Sequence, residues 1–297
     1  MVNKEGLKKI FSALIVPFHE DETVNYEMLR ELVEFELKNG VEGFYCCGSS
    51  GEGLLLSFEE RKKILETVLD QVDGRVPVVS HIGTIRTGDV IELAQHAKKA
   101  GAAAVSMIPP YYYKFSMDEI LQYYLDVVNA VDDLGVIVYN IPQFTGVSFN
   151  KDNAGRLLDN DRVIGIKHTS TDLFGLERMI TDYPDKVYFN GFDEIYLSGL
   201  AAGANAAIGT TVNLYPKTFK KVREYYQNGE MDKARKVQTL VNHRVEEMVK
   251  AGIFPAVKYI LKKQGLDCGT CRRPFAPLSE DAKRRLDVLI EEGFDVE

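Results

Sequence analysis

The chain has 297 residues and a formal net charge of −8, with 45% hydrophobic and 27% charged residues. These proportions are ordinary for a soluble globular protein, and the length suits one α/β barrel of about 250 residues or two smaller domains. The acidic balance argues against nucleic acid and anionic membrane surfaces as partners. It does not argue against an anionic substrate, because hydroxyl and backbone N–H groups decide the binding of one carboxylate locally.

The N-terminal segment and the cysteines predict a cytoplasmic protein. The first apolar run is short and ends at Pro17 and charged residues, unlike the core of a signal peptide. No stretch approaches the roughly 20 apolar residues of a membrane-spanning helix. The four cysteines are too few for a disulfide scaffold. Cys268 and Cys271 form a C-x-x-C pair, but no second pair has the spacing of a zinc site, so we predict no metal there.

Short apolar runs alternate with segments of helical period along the chain. The runs are rich in Val, Ile, Ala and Gly and are apolar on both faces, as parallel strands covered by helices are. The predicted strands are residues 12–18, 43–47, 76–82, 103–108, 135–139, 163–167, 186–190 and 205–208. The predicted helices between them include residues 26–39, 58–72, 88–100, 117–131 and 173–181.

Strand–helix units that repeat with short connections predict an α/β fold of the (β/α)₈ barrel type. A doubly wound open sheet is the alternative, but it usually has a G-x-G-x-x-G turn after its first strand, where this chain has Pro17-Phe18-His19. The segment from Pro216 onward is almost wholly helical in pattern and too long for one closing helix. We therefore predict a single domain over residues 1–297, with the barrel at about 8–215 and a C-terminal helical extension at about 216–297.

The carboxyl ends of the strands are the places to look for chemistry, because barrels build their active sites there. Lys167 ends the predicted sixth strand, where burial favours the neutral amine over the ammonium. Such an amine can attack a ketone and form an iminium, which then serves as an electron sink. The alternative is an ordinary lysine whose head group lies in water or in an ion pair. His81 ends the third strand, and we expect a hydrogen-bonded structural role for it.

Two other strand ends carry groups that complement a reactive lysine. Tyr139 ends the preceding strand, and because adjacent strands lie about 5 Å apart, its phenol can meet the amine and transfer protons. A tyrosine at a barrel rim is also often a packing residue. Gly48-Ser49-Ser50-Gly51-Glu52 follows the second strand, and its hydroxyl and backbone N–H groups predict an anion-binding loop sized for a carboxylate. The alternative is an ordinary turn, which is the usual role of a Gly/Ser loop. The loop lacks the lysine of a nucleotide-binding loop.

Taken together, these segments resemble the family of class I aldolases that includes N-acetylneuraminate lyase and dihydrodipicolinate synthase. The resemblance runs from about Phe11 to the C-terminus. Its motifs are the loop at residues 48–52, Tyr139-Asn140-Ile141-Pro142 with Thr145-Gly146, and Gly165-Ile166-Lys167. The resemblance implies a (β/α)₈ barrel with a helical extension, usually assembled as a homotetramer, that needs no metal or organic cofactor.

Within this family, three features favour the lyase branch. Phe144 stands where the synthase pattern has an arginine, and a phenyl ring cannot form a bidentate contact with a carboxylate. Gly191-Phe192-Asp193-Glu194 is similar to the lyase motif whose acidic pair accepts hydrogen bonds from the polyol tail of a sialic acid. Thr169 and Thr210 offer hydroxyl groups where the lyases bind their sugar acid.

The resemblance also implies a role for each site residue. Lys167 would form the Schiff base, and Tyr139 would donate and accept protons. Ser49 and Ser50 would bind the substrate carboxylate, and Tyr112 would support the proton path across a subunit interface. The rest of the sugar acid would contact Thr169, Gly191, Asp193, Glu194 and Thr210.

The implied reaction is the cleavage of N-acetylneuraminate to N-acetylmannosamine and pyruvate. The nearest alternative is another pyruvate-dependent aldolase of the same family, acting on a 2-keto-3-deoxy sugar acid, or a dihydrodipicolinate synthase. An alternative from a different class is a non-catalytic sensor that binds a sugar acid. A sensor would have little reason to place a lysine and a tyrosine together at the mouth of the barrel.

Overall fold

In a computed structural model, which describes residues 3–293, eight parallel strands close into a barrel in chain order. The strands are β1 (Ile10–Ala13), β2 (Gly43–Cys46), β3 (Val78–His81), β4 (Ala104–Met107), β5 (Gly135–Asn140), β6 (Val163–His168), β7 (Val187–Asn190) and β8 (Ala206–Gly209). Pairing of β8 with β1 completes the ring. The predicted barrel is confirmed, and the doubly wound sheet is excluded.

Helices cover the outside of the barrel and form the C-terminal region. They are α1 (Tyr26–Lys38), α2 (Phe58–Val72), α3 (Thr87–Ala100), α4 (Met117–Ala130), α5 (Pro142–Thr145), α6 (Lys151–Leu158), α7 (Leu173–Asp182), α8 (Tyr196–Ala201), α9 (Pro216–Gln227), α10 (Met231–Ala251), α11 (Ile253–Lys263) and α12 (Glu280–Glu291). Capping boxes define the N-termini of α2 and α4, where Ser57 pairs with Glu60 and Ser116 pairs with Glu119. Within residues 3–293, no helix combines the length and apolar character needed to cross a membrane.

The first strand lies earlier in the chain than the sequence predicts. The apolar run continues to Phe18, but β1 ends at Ala13. From Ile15 onward, backbone groups find partners outside the sheet: the Ile15 N–H donates to Asn213 Oδ1 at 3.1 Å, and the Phe18 N–H donates to the Cys268 carbonyl at 3.1 Å. The run is apolar because it is buried beneath the C-terminal region, and burial alone does not distinguish it from a strand.

Buried side chains form two layers on either side of the barrel wall. The larger layer lies between the strands and the helices, and it includes Val241, Val257 and Leu286 from the C-terminal helices. The smaller layer fills the barrel and includes Phe11 and Phe189. Because the C-terminal helices share the outer layer with the barrel, we propose that the chain is one domain with a helical extension.

Strand β6 requires a residue without a side chain at Gly165. A Cβ atom at this position would lie 2.1 Å from the carbonyl oxygen of Val187 in β7. We expect Gly165→Ala to lower the free energy of unfolding by about 3 kcal/mol or more, since neither backbone can move without disturbing the barrel. Denaturant unfolding followed by circular dichroism measures the change.

Gly88 provides the matched control. It is exposed near the start of α3, and nothing lies within 4 Å of a Cβ placed there. We expect Gly88→Ala to leave stability unchanged or to raise it by up to about 1 kcal/mol. Equal stabilities of the two variants would contradict the close approach of β6 and β7.

Candidate active site

A one-residue bulge in β6 directs Lys167 into the barrel. Val136 pairs with Val163, but the next residue of β5, Ile137, pairs with Gly165, so Ile164 is an extra residue in β6. Beyond the bulge, Lys167 pairs with Tyr139. If β6 had no bulge, strict alternation from Val163, which faces outward, would turn Lys167 toward the helices as well. Bulges commonly re-aim a side chain next to a functional site.

The amine of Lys167 lies in an aromatic cage at the mouth of the barrel. The residue is 4% exposed, and its Nζ lies 4.0 Å from the ring centre of Tyr139 and 4.2 Å from that of Tyr45. The two rings meet edge to face, with centres 6.2 Å apart. Within the described part of the chain, no carboxylate lies within ion-pair distance of Nζ. The alternative of a solvated or ion-paired lysine is therefore wrong.

The burial of Lys167 favours a neutral amine. Burial lowers the pKa of Lys167, and nearby Tyr139 and Asp193 oppose the shift only in part. Burial also raises the pKa of Tyr45 well above its usual range, so this phenol stays protonated. Its hydroxyl donates to Ser106 Oγ at 3.1 Å, which fixes the ring. A neutral amine beside phenol rings has the character of a nucleophile for a keto group.

The predicted carboxylate loop lies next to the end of β8. Ser50 is buried and Ser49 is half-buried, and Ser50 Oγ lies 2.8 Å from Thr210 Oγ1. The structure thus brings the hydroxyl groups of two predicted substrate-binding segments into contact. The loop is tight: the Gly53 N–H donates to the Gly48 carbonyl at 3.0 Å.

Glu52 connects this loop to the C-terminal region. Its backbone adopts the left-handed conformation, with φ 54°, and its side chain is buried. One carboxylate oxygen lies 2.8 Å from Nζ of Lys258 in α11, and the other accepts a hydrogen bond from the Arg272 N–H at 2.7 Å. Lys258 also donates to the Thr270 carbonyl at 3.0 Å. Sequence reasoning quoted Glu52 in a motif but could not identify a partner 206 residues away.

Thr169 and Gly191 lie against each other at the ends of β6 and β7. Thr169 Oγ1 is buried and has no hydrogen-bond partner among the described residues. A Cβ at Gly191 would lie 1.9 Å from that oxygen, so only glycine fits. An orphaned hydroxyl next to a bare backbone is suited to contact a bound ligand.

Asp193 is buried beside the end of β8, and Glu194 is half-buried next to it. Asp193 Oδ2 accepts hydrogen bonds from the backbone N–H and the hydroxyl of Thr211, both at 2.7 Å. Burial raises the pKa of Asp193 to about 6 although these hydrogen bonds oppose the shift. Gln238 of α10 donates to the Asp193 carbonyl at 3.0 Å, so the extension contacts the site here as well.

Two residues that the sequence singled out lie away from the amine. Tyr112 is 87% exposed with φ 76°, and its ring packs edge to face on Tyr113. Within one chain, Tyr112 does not join the cage around Lys167. Phe144 is 66% exposed in α5, after β5, where it offers a flat apolar surface and no positive charge.

His168 follows Lys167 and faces the opposite side of the strand. Asn140 Nδ2 lies 3.1 Å from His168 Nδ1, and His168 Nε2 lies 3.0 Å from the Asp172 carbonyl. The imidazole therefore accepts at Nδ1 and donates at Nε2. Burial lowers its pKa, so it stays neutral. His168 fixes the backbone that follows β6 and takes no place in the mouth.

The four cysteines are buried free thiols. Burial raises the pKa of both Cys268 and Cys271 to about 12, which suppresses the thiolate that redox chemistry needs. Across residues 3–293, no group of three or more His, Cys, Asp or Glu side chains is arranged to bind a metal ion.

Comparisons with known proteins agree with this barrel fold. The Dihydrodipicolinate synthetase family matches residues 6–293, and the chain belongs to that family. An N-acetylneuraminate lyase of Rhizobium meliloti is 41% identical over 274 residues, which is 92% of this chain and 91% of the relative.

Solved structures of similar proteins have the same fold over nearly the whole chain. A Clostridium difficile protein, CdNal, in complex with mannosamine, superposes with a TM-score of 0.94 at 33% identity over 96% of this chain and 99% of its own. A Ruminococcus gnavus sialic acid aldolase, described as a catalytic lysine mutant, superposes with a TM-score of 0.93 at 30% identity over 99% of this chain and 100% of its own.

The Glu52–Lys258 ion pair generates a stability prediction. Lys258→Met leaves a buried carboxylate without its counter-charge, so we expect the free energy of unfolding to fall by about 3 to 5 kcal/mol. The double variant Glu52→Gln/Lys258→Met removes both charges and keeps an acceptor for the Arg272 N–H, so we expect it to recover much of the loss. Denaturant unfolding of both variants measures the difference. A double variant less stable than Lys258→Met would contradict the pairing.

Proposed function

We propose that this protein is a Schiff-base aldolase that cleaves N-acetylneuraminate to N-acetylmannosamine and pyruvate. The observation that carries the proposal is the buried amine of Lys167, which lies between the rings of Tyr45 and Tyr139. The relatives named as N-acetylneuraminate lyases and sialic acid aldolases support the substrate. A sensor would gain nothing from an amine whose pKa is lowered by burial.

The reaction begins with the 2-keto group of the open-chain sugar acid. The neutral amine of Lys167 adds to the keto carbon, and Tyr139 transfers the protons that allow water to leave, which gives the iminium. Tyr139 then accepts the proton of the C4 hydroxyl while the C3–C4 bond breaks. The bonding electrons pass into the iminium, so N-acetylmannosamine leaves and a pyruvate enamine remains. Protonation and hydrolysis of the enamine release pyruvate and restore the lysine.

The surrounding groups bind the two ends of the substrate. Ser49 and Ser50 bind the carboxylate through hydroxyl and backbone N–H groups. The polyol end contacts a second set, whose members offer hydroxyl oxygens, carboxylate oxygens or bare backbone. This set consists of Thr169, Gly191, Asp193, Glu194 and Thr210.

Phe144 and Asp193 favour a polyol over a second carboxylate as the occupant of that end. A phenyl ring supplies no positive charge, and carboxylates accept hydrogen bonds from hydroxyl groups while they repel other anions. These two positions argue against a dihydrodipicolinate synthase. Shorter 2-keto-3-deoxy sugar acids also carry hydroxyl groups, and the assay below separates them.

The assembly is a homotetramer in which one subunit lends Tyr112 to its neighbour. The exposure of this ring, on a residue with positive φ, supports an intersubunit contact, because a large apolar side chain gains from being covered. The protein is cytoplasmic, in keeping with its four free, buried thiols.

Borohydride trapping with pyruvate tests the lysine. We expect one covalent adduct, at Lys167, by peptide mass mapping, and none in Lys167→Ala. Lys186 and Lys258 are internal controls, since they are 2% and 1% exposed but bind other groups: Lys186 Nζ donates to the Asn160 carbonyl, and Lys258 pairs with Glu52. An adduct at either control in place of Lys167 would refute the assignment.

Pyruvate release tests the substrate. We expect fast release from N-acetylneuraminate by the wild-type protein, at least about a hundredfold slower release from 2-keto-3-deoxy-gluconate, and none by Lys167→Ala, because one site lined with acceptors discriminates by about this factor. Release from the shorter acid alone would keep the aldolase mechanism but overturn the substrate. Absence of release from both, with pyruvate trapping intact, would redirect the assignment to the synthase reaction.

A further inference from the structure

His81 is a third aromatic group in the cage, and the proposed reaction assigns it no part in binding or catalysis. Its ring centre lies 6.0 Å from that of Tyr139 and 6.1 Å from that of Tyr45, the two rings that contact Nζ of Lys167. The plane of the imidazole is at 89° to the ring of Tyr139. The residue is 4% exposed and ends β3, so it faces the interior of the mouth.

The hydrogen-bond partners of His81 fix its tautomer. Nδ1 lies 3.1 Å from the carbonyl oxygen of Cys47, and a carbonyl can only accept, so Nδ1 carries the proton. Burial, together with the nearby charge of Arg61, lowers the pKa of His81 well below its usual value and keeps the ring neutral. Nε2 is therefore an acceptor with a free lone pair.

Nε2 has no hydrogen-bond partner within residues 3–293, although it is buried. A buried acceptor without a partner is destabilising, and such groups are rare unless a ligand or water completes them. Nδ1, by contrast, already makes the structural contact expected of a buried histidine. The two nitrogens therefore have different roles: Nδ1 fixes the ring, and Nε2 remains available to accept a hydrogen bond from a ligand.

The orientation of Nε2 is set by a closed network around the ring. Arg61 in α2 donates to the His81 carbonyl at 2.7 Å and to the Gly83 carbonyl at 3.2 Å. The Arg61 carbonyl in turn accepts from the thiol of Cys47 at 3.7 Å. Since Cys47 directly precedes the carboxylate loop, this network connects the loop, α2 and the end of β3. The Nδ1 hydrogen bond fixes the ring and Arg61 fixes the backbone that carries it, so the lone pair of Nε2 is preorganised.

We propose that Nε2 of His81 accepts a hydrogen bond from a hydroxyl group bound beside Lys167 and Tyr139, and that this contact assists formation of the iminium. The proposal rests on the Schiff-base function above. Two hydroxyl donors fit: the hydroxyl of the carbinolamine, which is also the water that leaves, and a hydroxyl of the sugar chain. The cage around the amine favours the carbinolamine, because His81 contacts the same two rings as Nζ.

The step balances without any further reactant. The lysine amine adds to the keto carbon, and one of its two protons moves to the oxygen, which gives a neutral carbinolamine. That hydroxyl takes up one proton, donated by Tyr139, and leaves as water while the nitrogen lone pair forms the C=N bond. The iminium keeps the second amine proton. Nε2 aligns the departing hydroxyl and itself gains and loses no proton.

Two substitutions test the roles of the two ring nitrogens of His81 separately. The asparagine amide of His81→Asn reaches the position of Nδ1 and can donate to the Cys47 carbonyl, but it leaves the position of Nε2 empty. The glutamine amide of His81→Gln places an acceptor oxygen near the position of Nε2 and abandons Cys47. Single-turnover trapping of pyruvate with cyanoborohydride measures iminium formation, and steady-state release of pyruvate from N-acetylneuraminate measures kcat and KM.

We expect His81→Asn to trap pyruvate at least about tenfold more slowly, the factor that corresponds to one lost hydrogen bond, with kcat reduced and KM nearly unchanged. We expect His81→Gln to retain most of both rates. Circular dichroism and unfolding curves establish that each variant folds. If either variant fails to fold, His81→Phe against wild type in the same trapping assay provides the comparison, and an unchanged rate would overturn the proposal.

Three outcomes would overturn the proposal: equal losses in both variants, a larger loss in His81→Gln, or no loss in either. A loss by His81→Asn in pyruvate release alone, with normal trapping, would overturn the carbinolamine contact and assign the acceptor to a sugar hydroxyl. Failure of the proposed function is distinguishable, because wild-type protein would then form no pyruvate adduct, and Lys167→Ala would match it.

Discussion

The burial of the Lys167 amine is the constraint on which the rest of this structure depends. An ammonium is costly to bury, and the barrel offers Lys167 no carboxylate at ion-pair distance to offset that cost. The amine is instead buried among phenol rings, and this burial lowers the pKa of Lys167. The bulge at Ile164 turns the lysine inward, and Gly165 allows β6 to approach β7. The features that bury Lys167 and lower its pKa are therefore properties of a closed sheet and would not exist on an isolated strand or hairpin.

A second consequence of the closed barrel is that its mouth needs support from outside. The loops that follow β2 and β7 have no neighbouring strands to pair with, so other elements satisfy their polar groups. Lys258 neutralises Glu52 in the first loop, and Gln238 binds the backbone of Asp193 in the second. The C-terminal extension thus acts on both ends of the proposed substrate site, although none of the residues proposed for catalysis belongs to it.

Much of the fold could be predicted from sequence because it depends on local pattern. Apolar runs separated by amphipathic segments gave all eight strands, and the residues at the ends of strands gave Lys167 and Tyr139 as neighbours. The end of β1 could not be predicted, since residues buried beneath the extension have the same apolar pattern as a strand. Helix α6 was not predicted, because its 8 residues are too few to show a clear helical period.

The finer features of the site depend on contacts that no local pattern encodes. The bulge at Ile164 changes the register between two strands, and a run of apolar residues carries no mark of such a change. The partners of Glu52 and Asp193 lie far along the chain, so their burial could not be read from neighbours. His81 was visible as a residue at a strand end, but only the structure separates the partnered Nδ1 from the unpartnered Nε2.

The ion pair between Glu52 and Lys258 also has a consequence for synthesis of the protein on the ribosome. Translation releases the chain from its N-terminus, so the second strand and its carboxylate loop emerge long before α11 exists. Until Lys258 arrives, Glu52 lacks the counter-charge that offsets the cost of burying its carboxylate. The mouth of the barrel is therefore among the last parts of the molecule to mature, and a nascent chain that already contains every proposed catalytic residue is not yet an assembled enzyme.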